Sequence, residues 1–299
     1  MGLINIDNIT KEYAPERGNF NISLEVKKGE TIGLVGENGA GKTTLLRQIM
    51  GFIKSDSGKI TINNLDAYNN ASELKRIIGY IPGEINFPDY KTGNEFLKNY
   101  IAVNNLPEES TKLADSIIKR MQLDITAYPK RMSKGMKQKT AIVASLIKQA
   151  PILLADEPTT GLDPLMRDEF LKLVLEEKQK GTTIIMSSNT IEELEKVADR
   201  VVFISKGKIV DIGDVKKIDN ETFNDYKIEF LNKKDYQSSL KHKFFILLKK
   251  KDEMNQISIR IEKTNLNKLF EFLKGKKIKF ISQIPYDLQT YFDERRKEN

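Results

Sequence analysis

Residues Gly36-Glu37-Asn38-Gly39-Ala40-Gly41-Lys42-Thr43-Thr44 constrain this chain more than any other stretch. They fit the spacing Gly, four residues, Gly-Lys-Thr. Before them, Thr31-Ile32-Gly33-Leu34-Val35 reads as a short buried strand. After them, Leu45-Leu46-Arg47-Gln48-Ile49-Met50 reads as a helix that stops at Gly51. In a strand–loop–helix of this kind, Gly36, Gly39 and Gly41 let the backbone curl, so that successive N–H groups face one concavity. The helix N-terminus adds partial positive charge there. Such a loop, with Asn38, Ala40 and Thr44 inside it, cradles phosphate. Lys42 is placed to reach β- and γ-phosphates, and the Thr43 hydroxyl to ligate Mg²⁺.

The loop occupies a small part of a chain of 299 residues, a length that suits one large domain or two. The absence of Cys excludes a disulfide scaffold and thiolate metal sites, and suits a reducing compartment. The longest stretch without charge, residues 181–191, is eleven residues, well short of a membrane span. The N-terminus lacks a basic segment followed by an apolar run, so no signal peptide is expected. Charge is unevenly placed. Residues 1–214 hold 29 Lys+Arg and 29 Asp+Glu, whereas residues 215–299 hold 20 and 13, so the whole net charge of +7 lies in the tail. Interleaved acidic residues there favour ordinary lysine solvation over an anion-binding surface.

Along the chain, residues 4–9 and 21–26 alternate as half-buried strands. Tyr13 lies between them, where a packed core tyrosine and a base-stacking tyrosine are both open readings. Residues 59–62 and 77–81 read as further strands, the second stopped by Pro82-Gly83. Helical periodicity takes over from about 84, with apolar stripes at Phe96, Leu97, Tyr100 and Ile101 and at Leu113, Ile117, Ile118 and Met121. Ser133 is a plausible N-cap for a helix running through 147.

Pro151-Ile152-Leu153-Leu154-Ala155-Asp156-Glu157 is an apolar run that ends in two carboxylates, as expected of a parallel strand buried on both faces. Ligands bind at the carboxyl ends of such strands. Asp156 is thus placed to hold Mg²⁺, and Glu157 to orient or deprotonate water. A helix of about 15 residues from Pro164, a strand at 183–187 and a hairpin around Lys206-Gly207 follow. Residues 214–224 read as a polar linker. Beyond them, strands near 227–231, 244–248, 257–261 and 278–281, with helices near 266–273 and 288–296, predict a small α+β domain without a chemical motif. His242, the single histidine, is expected to be structural or exposed.

The order of these motifs resembles the nucleotide-binding subunit of ATP-binding cassette transporters over roughly residues 2–214. Ser133-Lys134-Gly135-Met136-Lys137-Gln138 resembles the family signature, departing at Met132, Lys134 and Met136 while keeping Ser133 and Gly135. Residues 154–164 are similar to the magnesium-binding strand and the loop that crosses the dimer, and Tyr13 matches the adenine-stacking aromatic. The variant signature and the C-terminal extension look most like bacterial exporter ATPases for drugs, antibiotics or peptides.

The resemblance implies an α/β P-loop cassette at 1–214, with a mixed sheet, an antiparallel N-terminal sheet and a helical subdomain at about 84–149, followed by the domain at 215–299. It implies ATP and Mg²⁺ as ligands, and a head-to-tail homo- or heterodimer in which Ser133 and Gly135 of one chain meet ATP on the other. It also implies a permease on a separate chain, a cytoplasmic position at the inner face of the membrane, and no nucleic acid partner. Two positions depart from the pattern. Glu84, after Pro82-Gly83, stands near the usual place of a metal-contacting Gln. Asn189 stands where a switch histidine is usual; it lacks a titratable group and predicts slow hydrolysis.

Overall fold

Short, mainly apolar runs suit strands covered on both faces, and three such runs lie side by side in this computed structural model. It describes residues 2–215, 223–240 and 242–284. The chain divides into two compact units, Met1–Val215 and Lys216–Asn299.

The first unit opens with the antiparallel pair β1 (Ile4–Ala14) and β2 (Arg17–Val26). Both are longer than the alternating pattern predicts, because register shifts carry the pairing past the regular stretch as far as Ala14 and Arg17. β3 (Thr31–Val35) leads into α1 (Lys42–Ile49). β4 (Ser57–Ile62) and the two-residue β5 (Leu65–Asp66) complete a sheet in the order β2-β1-β4-β5. β5, absent from the sequence reading, is too short to show periodicity.

After α2 (Ala71–Leu74) and β6 (Ile78–Ile81) come α3 (Gly93–Val103), α4 (Glu109–Arg120) and α5 (Lys134–Leu146). Leu97, Ile117 and Met121 of the predicted apolar stripes are buried, and Ala114 beside them is buried too. The chain then alternates: β7 (Ile152–Ala155), α6 (Pro164–Gln179), β8 (Thr183–Ser188), α7 (Ile191–Val197), β9 (Arg200–Ser205) and β10 (Lys208–Asp214). Asp163 caps α6 by accepting from the Met166 N–H, and Pro164 starts it, a common pairing at helix entry.

These strands form a second sheet in the order β10-β9-β3-β8-β7-β6, parallel from β9 to β6 with β10 antiparallel at the edge. Every residue of β3, β7 and β8 is buried. α1 closes one side with Leu45, Leu46 and Ile49, each at most 1% exposed, and burial of such a side chain contributes about 1.5–3 kcal/mol.

The second unit runs β11 (Phe223–Phe230), α8 (Lys233–Ser238), β12 (Ile246–Lys251), β13 (Gln256–Glu262), α9 (Leu266–Leu273) and β14 (Ile278–Ile284). Its sheet is antiparallel, in the order β12-β13-β11-β14, the split β-α-β-β-α-β arrangement. Tyr226, Ile228 and Phe230 on β11 join Ile257, Ile259 and Ile261 on β13, Tyr236 on α8 and Leu269 and Leu273 on α9 in one core. β12 begins two residues later than expected: Phe245 turns inward, and the strand continues through three lysines. α8 was not expected; Asn232 caps it by accepting from the Asp235 N–H. His242 is exposed, its ring against Phe244 and Phe272. The helix expected at 288–296 lies outside the described residues. Among those residues, no helix is long and apolar enough to cross a membrane.

Candidate functional site

β3, β8 and β7 are neighbours and parallel, so the loops leaving their carboxyl ends meet. β3 delivers residues 36–44, β7 delivers Asp156 and Glu157, and β8 delivers Ser187, Ser188 and Asn189. α1 has Gly41 at its N-cap, with no side-chain cap and no acidic residue in its first turn, so its first N–H groups stay available to an anion. Gly41 sits at φ 107, and a Cβ there would come within 2.5 Å of the Asn19 amide nitrogen, so glycine is required.

Lys42 is the hub of the site. It is 4% exposed, and its Nζ donates to the Gly36 carbonyl at 2.7 Å, the Glu37 carbonyl at 3.1 Å and Asn189 Oδ1 at 2.7 Å. Glu157 Oε1 lies 3.5 Å away. Burial lowers the Lys42 pKa, and the Glu157 carboxylate partly offsets that. Asn189 also donates from Nδ2 to Asn38 Oδ1 at 2.8 Å, so one amide ties β8's end to both the lysine and the loop.

Asp156 is 1% exposed and accepts from Thr43 Oγ1 at 3.1 Å and from Ser187 Oγ at 2.8 Å. The Glu157 N–H donates to the same Ser187 hydroxyl at 2.8 Å. Glu157 itself sits at φ 45, in the left-handed region. That conformation costs a non-glycine residue about 1–2 kcal/mol. Here it turns the chain sharply after β7 and brings the carboxylate to Lys42.

A cleft of about 260 Å³ opens over the loop, lined by Tyr13, Asn38, Gly39, Ala40, Gly41, Lys42, Thr43, Thr44 and Glu157. Tyr13 is 56% exposed with Lys11 Nζ 5.8 Å from its ring centre, which removes the core-tyrosine reading. Arg17 and Gly18 also line the cleft. The sequence reading missed them because the turn between β1 and β2 carries no motif.

Of the residues singled out in the sequence, Gly36, Asp156 and Asn189 do not line the cleft but are bonded to Lys42 or Thr43 in its wall. Ser133, Gly135 and Glu84 do not line it either. Ser133 caps α5, its Oγ accepting from the Met136 N–H at 3.2 Å, and is exposed. Gly135 packs on the loop after β7, where a Cβ would fall 2.6 Å from the Gly161 carbonyl. Glu84 is exposed, and among the described residues it does not form a carboxylate cluster with Asp156 and Glu157. The donors that do meet, the Thr43 hydroxyl and the Asp156 carboxylate, are hard oxygens of the kind Mg²⁺ takes.

One buried group was missed altogether. Glu193 on α7 is 4% exposed and accepts from Thr159 Oγ1 at 2.9 Å and Ser188 Oγ at 2.8 Å, with Arg167 Nε at 3.2 Å. It joins the loop after Glu157 to the residue before Asn189. The only available signal was a glutamate four residues beyond Asn189.

Comparison with known proteins follows the same lines. A family model described as ABC transporter matches residues 20–160. The ABC transporter ATP-binding protein NatA of Bacillus subtilis (strain 168) is 34% identical over 220 residues, covering 71% of this chain and 89% of that protein. The linearmycin resistance ATP-binding protein LnrL of the same organism is 34% identical over 214 residues, 71% of this chain and 69% of that protein. The methionine import ATP-binding protein MetN of Geobacillus kaustophilus (strain HTA426) is 32% identical over 225 residues, 71% of this chain and 66% of that protein. Among solved structures, an ATP-binding subunit of an ABC transporter superposes with a TM-score of 0.67 at 28% identity, covering 72% of this chain and 91% of that one. The dimeric bacterial ABC transporter cassette MJ0796 gives 0.64 at 25% identity, covering 71% and 98%.

Proposed function

The chain belongs to the ABC transporter family as an ATP-binding subunit, and from that premise we propose that it powers a bacterial exporter of drugs, antibiotics or peptides through a permease on a separate chain. The observation that carries the ATPase reading is the cluster at Lys42. A buried cation, a carboxylate at 3.5 Å and an amide at 2.7 Å converge where the phosphate loop opens.

Lys42 and the N–H groups of residues 39–44 bind the phosphates, and Tyr13 stacks on the adenine. Thr43 and Asp156 would hold Mg²⁺, which when bound neutralises phosphate charge. Glu157 orients the attacking water and takes its proton. On ATP binding, Lys42 gives up Asn189 and Glu157 for phosphate oxygens, which frees the carboxylate for water and the amide for the γ-phosphate.

Ser133 and Gly135 stand apart from this cleft, which supports a site completed by a second copy. The dimeric MJ0796 cassette supports the same reading. The export direction rests on the likeness to a resistance protein; the likeness to an import protein sets the competing direction. Asn189, in place of a histidine, favours a second reading: a slow regulatory ATPase that moves no cargo.

The deciding experiment is co-purification with the membrane protein encoded beside it, followed by phosphate release in vesicles with and without that protein. Stimulated hydrolysis with outward movement of a drug or peptide is expected. Inward movement would reverse the direction, and hydrolysis indifferent to the membrane protein would favour the regulatory reading. Light scattering of Glu157→Gln with ATP is expected to show a doubled mass.

A further inference from the structure

The second unit lies beyond residues 20–160, where the family model matches. The helices cover one face of its sheet. On the opposite face, alternation places Asp225, Lys227 and Glu229 of β11 beside Arg260, Ser258 and Gln256 of β13. Both acids are already satisfied. Asp225 accepts a bidentate pair from Arg260 at 2.8 and 2.8 Å, and Glu229 accepts from Lys279 at 2.6 Å and Gln256 Nε2 at 3.2 Å.

Three more cations stand on this face, and Lys227 among them adds to the positive field at Glu229. Lys249 pairs in register with Ser258 from one side and Lys227 from the other, and Lys251 pairs with Gln256 one step along. Lys249 and Lys251 make no ion pair with any described residue, and Lys227 lies over the Phe280 ring at 5.7 Å. Lys227, Lys249, Lys250, Lys251, Gln256 and Ser258 line a cleft of about 170 Å³ with no carboxylate in its wall.

Lysines on an edge strand are a common guard against edge-to-edge pairing, and β12 is an edge. That account does not reach Lys227, because β11 is an interior strand, between β13 and β14. Like charges converging from separate strands repel, and an anion between them relieves the repulsion. A carboxylate offers one charge and two coplanar oxygens. A phosphate group offers up to two charges and tetrahedral acceptors, which suits ammonium groups arriving from different strands beside the Ser258 hydroxyl.

We propose that the cleft between Lys227, Lys249, Lys251 and Ser258 binds a phosphate-bearing anion, a phosphomonoester or diphosphate group, making the second unit an anion-sensing module. This does not depend on the transport reading, since no residue is shared with the nucleotide cleft.

The test uses the full chain with the nucleotide cleft saturated by Mg-ADP, so that the probe reports elsewhere. Pyrophosphate is titrated while backbone amides are followed by NMR. Saturable shifts at Lys227, Ser258 and Lys249 are expected. Lys227→Gln with Lys249→Gln should weaken binding about tenfold, while Lys227→Arg with Lys249→Arg keeps it. Vesicles containing phosphatidic acid, whose headgroup is a phosphomonoester, form the second arm. Sedimentation with them that is lost in the Gln pair, without pyrophosphate shifts, identifies a lipid headgroup as the source of the phosphate. No saturable shift and no charge-dependent sedimentation would overturn the proposal, as would equal affinity in the Gln pair. If the Gln pair fails to fold, the titration of the unaltered chain still decides.

Discussion

The two units solve the same problem, covering a sheet, in opposite ways. In the first, β3, β7 and β8 are buried on both faces, so polar groups survive only at strand ends, and Lys42, Asp156, Glu157 and Asn189 gather there. In the second, helices cover one face only. β11 therefore alternates Tyr226, Ile228 and Phe230 inward with Asp225, Lys227 and Glu229 on the opposite face. A doubly covered parallel sheet places chemistry at its rim, whereas a singly covered antiparallel sheet can place it across a face. The rim also holds one of the chain's left-handed non-glycine residues, Glu157 with φ 45.

The contrast breaks first if the units do not have separate cores. Phe230→Ala should destabilise the second unit by about 3–5 kcal/mol, since the side chain is 1% exposed. ATP affinity should be unchanged, and a separate chain cut after 214 should keep the first unit's own melting transition. A fall in nucleotide affinity, or an insoluble truncated chain, would join the two cores. Next comes Glu157→Gln. It should lower turnover about a thousandfold with nucleotide still bound; wild-type phosphate release would move the water-activating role elsewhere.

Lys42→Ala should weaken nucleotide binding about a hundredfold, because a buried charge-assisted contact is lost. Unchanged affinity in a fluorescent-nucleotide titration would show that the backbone N–H groups suffice. Asn189→His should raise basal turnover by about tenfold to a hundredfold, as a protonated ring adds a charged donor at the γ-phosphate. Equal turnover at saturating Mg-ATP would make the existing amide sufficient.

The smallest effect is one of pH, and the carboxyls of both units act alike: Asp56, Asp89, Asp124, Glu169 and Glu176 of the first unit are also held below their usual values. In the second unit, carboxyls are held below their usual values of 3.8 for Asp and 4.5 for Glu: Glu229 by the Lys279 ammonium, Asp235 by the Lys277 N–H, and Asp252 by the Tyr236 hydroxyl. Their folded pKa values lie below the unfolded ones. The stability they add is therefore present above about pH 4.5 and lost as pH falls through the folded values. At Lys42 the sign differs. Burial lowers a cation's pKa from 10.5, so its cost is present below the folded pKa and relieved as pH rises toward 10.5. Urea midpoints of the second unit should drop between neutral and acid pH, and added Mg-ATP should not restore them.

Much of this was legible in the sequence where a local rule suffices. Glycine spacing called the phosphate loop, unbroken apolar runs called β3, β7 and β8, and the stop at Gly51 ended α1 in the right place. Regions without a repeating local signal were misjudged. β12 was drawn toward Phe244 and Phe245 because apolar residues usually mark strands, yet Phe245 packs beneath the helices and lysines make the edge. α8 carries too little apolar periodicity to be seen, and depends on the Asn232 cap and on Tyr236 in the core.

The sequence by itself determined which residue types stand at which strand ends: Gly36 to Thr44 after one apolar run, Asp156-Glu157 after a second, Ser187-Ser188-Asn189 after a third. Only the tertiary structure decided that the third run lies between the other two, in the order β3-β8-β7, although 147 residues of chain separate Lys42 from Asn189. Strand order minimises exposed apolar surface over the whole sheet, a global quantity that no local window contains. For the same reason the buried Glu193, which joins Thr159 to Ser188, was invisible in sequence. A carboxylate five residues past a strand reads as solvated until the loop from another strand closes over it.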